Sequence, residues 1–92
     1  MKVRIRFFAR FRELLGTDIV VEPPGGTTLA ALIREVARRR KEGHEAIFDE
    51  GGSFREFVIL MRNGKRVEAA GAEELRIADG DEIAVFPPVS GG

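Results

Sequence analysis

Leu29, Leu32, Ile33 and Val36 recur at the spacing of a single helix face, and no other stretch of the 92 residues carries a helical stripe of that length. One apolar stripe has to be covered, and most of the remaining segments are short and extended in pattern. The cover must then be a sheet with one apolar face. Val3, Ile5 and Phe7 alternate with Lys2, Arg4 and Arg6, a half-buried strand of period two. Ile83 and Val85 repeat the alternation near the end of the chain and complete that face. The length allows one domain, burying roughly 60–65% of its unfolded surface. A hydrophobic content of 43% against 33% charged residues favours a folded globule over a disordered chain. With no cysteine, nothing staples the core, and thiolate metal sites and cysteine nucleophiles are excluded.

The rest of the chain follows from its punctuation. Ala9–Leu15 has helical composition and stops at Gly16, and residues 18–22 form a second strand. Pro23-Pro24-Gly25-Gly26 is a loop, and Thr28 caps the long helix, without a capping box because Ala31 stands where Glu or Gln would be. Residues 38–41, all basic, close that helix, with Gly43 just past its end. Residues 43–56 read as irregular, anchored by Ile47 and Phe48. Residues 57–61 form an apolar run suited to a strand buried on both faces. Asn63-Gly64 marks a type I′ hairpin with its return strand at 65–68. Residues 71–75 make a short helical turn, Asp79-Gly80 a tight turn, and 83–86 the last strand. Strand, strand, helix and three more strands give an α+β protein. Its expected architecture is a mixed five-stranded sheet on one main helix, the β-grasp arrangement of ubiquitin, with a right-handed crossover where parallel strands are joined.

Chemistry-bearing motifs are few. Zero formal net charge argues against a nucleic-acid surface, and no 18-residue apolar run argues for a membrane span. The alternating N-terminus is not a signal peptide, so a cytoplasmic location is expected. His44 stands in a loop with no partner, residues 38–41 read as a solvated helix end favoured by the macrodipole, and Asp79, Asp81 and Glu82 read as surface carboxylates of a turn; no metal is expected. Phe8 and Phe86 both break the inward pattern. If the first and last strands are neighbours, the two rings share the outer side. They then form an interface anchor, or else that face is partly covered by residues 43–56. After Phe86 come Pro87, Pro88, Val89, Ser90, Gly91 and Gly92. The prolines end the strand, and the bare glycines can enter a slot too narrow for a Cβ. The division expected is a β-grasp domain over residues 1–86 and a flexible tail over 87–92. The tail is either a frayed end or a carrier of the reactive group, the Gly92 carboxylate.

Two stretches resemble a known family. Residues 3–16, VRIRFFARFRELLG, and 79–92, DGDEIAVFPPVSGG, are similar to the two ends of the MoaD/ThiS-type ubiquitin-like sulfur carriers, closest to MoaD and to the archaeal ubiquitin-like small modifiers. The longer segment from Ile47 to Gly64 is similar to the modifier branch. The resemblance implies a non-enzymatic carrier with no stably bound cofactor. An E1-like adenylating enzyme of the MoeB/ThiF type would use ATP to activate Gly92 as an adenylate, and sulfur would convert it to a thiocarboxylate. A large synthase subunit of the MoaE type would then pass the sulfur to the pterin of the molybdenum or tungsten cofactor. Phe8 and Phe86 would match partner-interface positions, and Arg66 departs from an apolar one. Membership of the modifier branch would instead imply conjugation of Gly92 to lysines of target proteins. A ubiquitin-like interaction module with an incidental tail is a third possibility, for which removing Gly91 and Gly92 would change nothing.

Overall fold

The structure is a computed structural model and describes residues 1–88. The chain forms β1 (Val3–Phe7), α1 (Ala9–Leu15), β2 (Asp18–Val21), α2 (Leu29–Ala37), α3 (Lys41–Ile47), β3 (Ile59–Arg62), β4 (Lys65–Val67), α4 (Ala69–Ala72) and β5 (Glu82–Phe86). The five strands lie in the order β2-β1-β5-β3-β4. β1 and β5 run parallel at the centre, flanked by antiparallel β2 and β3, so the sheet is mixed as its sequence pattern requires. One face carries the core. Val3, Ile5 and Phe7 of β1, Ile83 and Val85 of β5 and Leu60 of β3 meet Leu29, Leu32, Ile33 and Val36 of α2. Thr28 caps α2 through its Oγ1, which accepts from the Ala31 amide at 3.2 Å. Asn63 and Gly64 both hold positive φ, 50° and 80°, the signature of the type I′ turn between β3 and β4.

Several sequence expectations give way. Residues 38–41 do not simply end a helix, and 43–56 is not wholly irregular: α2 stops at Ala37 and a separate helix, α3, begins at Lys41. Gly43, expected as a helix terminator, is buried inside α3, where a Cβ would overlap Leu15 Cδ2. A side chain at position 43 would collide with that of Leu15 on α1, which would have to move to admit it. His44 consequently sits on a helix, its ring 5.1 Å from that of Phe48. Ile47 and Phe48 do anchor the segment, at 0% and 1% exposure. The apolar run 57–61 is not a doubly buried strand. β3 starts at Ile59, only Leu60 is buried, and Phe57 is 69% exposed.

Asp81, expected as a surface carboxylate, is 5% exposed. Its Oδ2 accepts from the Ala78 amide at 2.7 Å and from Arg62 Nε at 2.9 Å, and its Oδ1 from Asn63 Nδ2 at 3.0 Å. Burial pushes this carboxyl up, but the Ala78 amide, Asn63 and Arg62 outweigh that cost and hold it below the usual carboxylate range. Arg34 of α2 makes a second tie. It donates from Nε and Nη2 to the Gly52 carbonyl at 3.1 and 2.9 Å, pairs with Glu73, and lies over the Phe48 ring at 5.2 Å. Its hydrogen bond holds the Glu73 carboxyl below its ordinary value. Among the described residues no helix is long and apolar enough to cross a membrane.

Candidate functional site

β5 occupies the middle of the sheet and delivers the chain to Pro87 and Pro88. Its parallel partner β1 ends beside it, and the register pairing Phe7 with Val85 puts Phe8 next to Phe86. Their rings stack with centroids 4.2 Å apart and planes 8° from parallel. Phe8 is fixed by its backbone as well. Its amide donates to the Val85 carbonyl at 3.2 Å and its carbonyl accepts from the Phe11 amide at 3.1 Å. The chain then turns sharply into α1 through Ala9, which holds a φ of 52°, in the left-handed region that is strained for any residue with a Cβ. Both rings are half-buried and lie on the sheet face opposite the core. Residues 43–56 do not cover them: α3 packs on α1 and α2, on the core side.

That open face can be read row by row from the pairing. Ile59 lies opposite Phe86, which extends the aromatic pair by one aliphatic side chain. The next row crosses all five strands as Asp18, Arg6, Ala84, Met61 and Arg66. Ile59 and Met61 therefore belong with Phe8 and Phe86. The sequence had hidden this, because their run looked buried on both faces; the signal available was their alternation with Leu60 leading into Asn63-Gly64. Arg66, set apart in the sequence only through the resemblance, stands at the edge of this row, with Glu68 at 4.0 Å. On the core side of the same end lies a groove of ≈ 760 Å³ bordered by Phe11, Arg10, Arg55, Glu45, Pro87 and Pro88. The chain thus leaves β5 between an apolar face and a mixed-charge groove. Val89, Ser90, Gly91 and Gly92, the other tail residues singled out in the sequence, lie outside the described residues. Among the described residues no cluster of His, Asp and Glu could hold a metal ion.

A mixed sheet with a central parallel β1–β5 pair, one face covered by α2 and the other left uncovered among the described residues, is that of a ubiquitin-like β-grasp protein. The sequence model of the ThiS family matches residues 5–92, and the chain belongs to that family. It is 31% identical over 93 residues to small archaeal modifier protein 3 of Haloferax volcanii, with all of both chains covered. It is 34% identical over 97 residues to the molybdopterin synthase sulfur carrier subunit of Aedes aegypti, covering all of this chain and 90% of that protein. Among solved structures, SAMP1 from Haloferax volcanii superposes with a TM-score of 0.86 at 26% identity, covering all of both chains. A chain of the Amycolatopsis orientalis BexX/CysO complex superposes with a TM-score of 0.71 at 27% identity, covering 98% of this chain and 99% of that one.

Proposed function

We propose that this protein is a sulfur carrier that works through the carboxylate of Gly92 in molybdopterin synthesis, as a consumed and regenerated co-substrate rather than an enzyme. A free carboxylate is a poor acyl donor. An E1-like adenylating enzyme of the MoeB/ThiF type joins it to AMP from ATP, releasing pyrophosphate, and a sulfur donor then displaces AMP to leave a thiocarboxylate. A large subunit of the MoaE type takes the charged tail and transfers the sulfur to the pterin. The chain's own contributions are the acyl group, the narrow Gly91-Gly92 end, the stiff Pro87-Pro88 exit and the Phe8/Phe86 docking pair. No cofactor is held stably in this scheme; ATP is used by the partner. The observation that carries the reading is the family match, which runs to Gly92 itself. The name of the Aedes aegypti relative, a sulfur carrier subunit of molybdopterin synthase, supports the choice of pathway.

A second reading, conjugation of Gly92 to lysines of target proteins, is favoured by full-length similarity to an archaeal small modifier. It needs the same adenylate, so one protein can serve both ends. The test common to both is ATP–pyrophosphate exchange by the cognate adenylating enzyme. Exchange should require this chain and vanish when Gly91 and Gly92 are deleted. Exchange that survives the deletion, or an enzyme of proven activity that ignores the intact chain, would overturn both readings and favour a plain interaction module.

A further inference from the structure

Lysine is scarce in this chain. Of its 15 Lys and Arg residues only Lys2, Lys41 and Lys65 are lysines. The difference is chemical as well as electrostatic: a guanidinium stays protonated, whereas an ammonium can lose a proton and become a nucleophile. Two of the lysines stand at the end of the sheet where β5 begins. Lys2 is fixed beside the preceding turn, its carbonyl accepting from the Gly80 amide and its amide donating to Asp79 Oδ1, both at 2.7 Å. Lys65 pairs with Arg62 and Arg62 with Ile83, which puts Lys65 at the same end. From Glu82 to Phe86 the strand advances about 13 Å away from both. Lys41 is placed differently. It opens α3, and the next residue, Glu42, borders the groove of ≈ 760 Å³ together with Glu45, Pro87 and Pro88. Its side chain is 88% exposed, with Nζ 3.9 Å from Glu45 Oε1. The cations on the groove itself, Arg10 and Arg55, are both arginines. The four residues after Pro88 span at most about 14 Å, and the turn from Glu45 back to Lys41 rises only about 6 Å. Of the three lysine amines, that of Lys41 stands on the side where the chain leaves β5.

We propose that Lys41 is a site of self-modification: its Nζ captures the activated carbonyl of Gly92 in the same chain and closes an isopeptide ring. This deepens the lysine-conjugation reading and rests on the Gly92 adenylate that both readings share. The ammonium gives a proton to water, and the free amine attacks the acyl carbon. An N–C bond forms, the C–O bond to the phosphate breaks with AMP as the leaving group, and a second proton leaves as the amide forms. Two groups tethered in one chain meet at an effective concentration on the order of 1 mM when the linker spans them. That exceeds the concentration of amines on other chains in a micromolar solution. The ring consumes an adenylate that no sulfur donor has reached and removes that copy from service as a carrier.

Incubation of the full chain with the cognate adenylating enzyme and ATP, without a sulfur source, tests this by intact mass and by mapping of the joined peptides. The expected product is a chain lighter by one water molecule, with Gly92 bonded to Lys41 Nζ. Lys41→Arg keeps the charge beside Glu45, so it should keep its melting temperature and its ATP–pyrophosphate exchange and lose the product. Lys2→Arg and Lys65→Arg should form the product as the parent does. Adding the sulfur source should divert the parent to the thiocarboxylate. A water-short product that persists in Lys41→Arg, or a bond found only to another amine or to a second copy, would overturn the inference. Exchange by the parent with no water-short product would overturn it and leave the adenylate standing. A parent chain that supports no exchange with an enzyme of proven activity would contradict both.

Discussion

Asp81 shows how much a single side chain can organise. Its carboxylate closes the turn through the Ala78 amide, holds Asn63 at the hairpin, and pairs with Arg62 on β3. Asn63 in turn accepts from the Glu82 amide at 2.9 Å, so the hairpin and β5 are locked together through side chains. Asp81→Ala leaves those donors unmatched in a buried place and should cost about 2–3 kcal/mol in urea unfolding. The pH dependence has a definite sign. The folded pKa lies below the unfolded value, so the contribution is fully present above the unfolded pKa, about 3.9. It is lost as the pH falls from there through the folded pKa. Stability of the parent should decline through that acid window, and Asp81→Asn should show a shallower decline. An equal acid slope in the two proteins would remove Asp81 from this role.

At the level of elements, α3 is the part the sequence concealed. Four consecutive basic residues followed by glycine looked like a helix ending, and the period of α2 does end there. What the local pattern could not show is that Gly43 is small for the sake of Leu15, 28 positions earlier in the chain, a contact made only by tertiary packing. Gly43→Ala should therefore destabilise by about 1–2 kcal/mol despite alanine's better helix propensity, because the overlap with Leu15 outweighs a gain of up to ~1 kcal/mol; a higher melting temperature would contradict this. β3 was misjudged for a related reason. An apolar run does not say which side meets a core, and here only Leu60 does, leaving Ile59 and Met61 to the open face. Where side-chain alternation or turn chemistry decided the outcome, as in β1, β5, the Thr28 cap and Asn63-Gly64, the pattern was legible from the residues alone.

The Phe8/Phe86 stack joins the ends of two elements and was foreseen only as a conditional: the rings meet if β1 and β5 are neighbours. They are neighbours, and in contact. Half-buried and stacked mainly on each other, the rings contribute modestly to the fold, about 0.5–1.5 kcal/mol beyond their buried area. Phe86→Ala should lower the melting temperature slightly yet raise the KM for adenylation about tenfold, with kcat far less affected. A loss confined to stability would assign the pair to the fold alone.

Taken whole, the described residues devote one face of the sheet to a core and leave the other uncovered, and the central strand runs into Pro87 and Pro88 between that face and a groove. Among the described residues the core lies between Val3 and Val85, and the account predicts that removing the last two glycines leaves folding intact while abolishing the chemistry. The most direct test is intact mass of the full chain after incubation with a cognate adenylating enzyme, ATP and a sulfur source, beside a chain lacking Gly91 and Gly92 of equal melting temperature. The account predicts a gain equal to exchanging one carboxylate oxygen for sulfur, in the full chain only. An unchanged mass with a demonstrably active enzyme, or the same gain in the shortened chain, would contradict it.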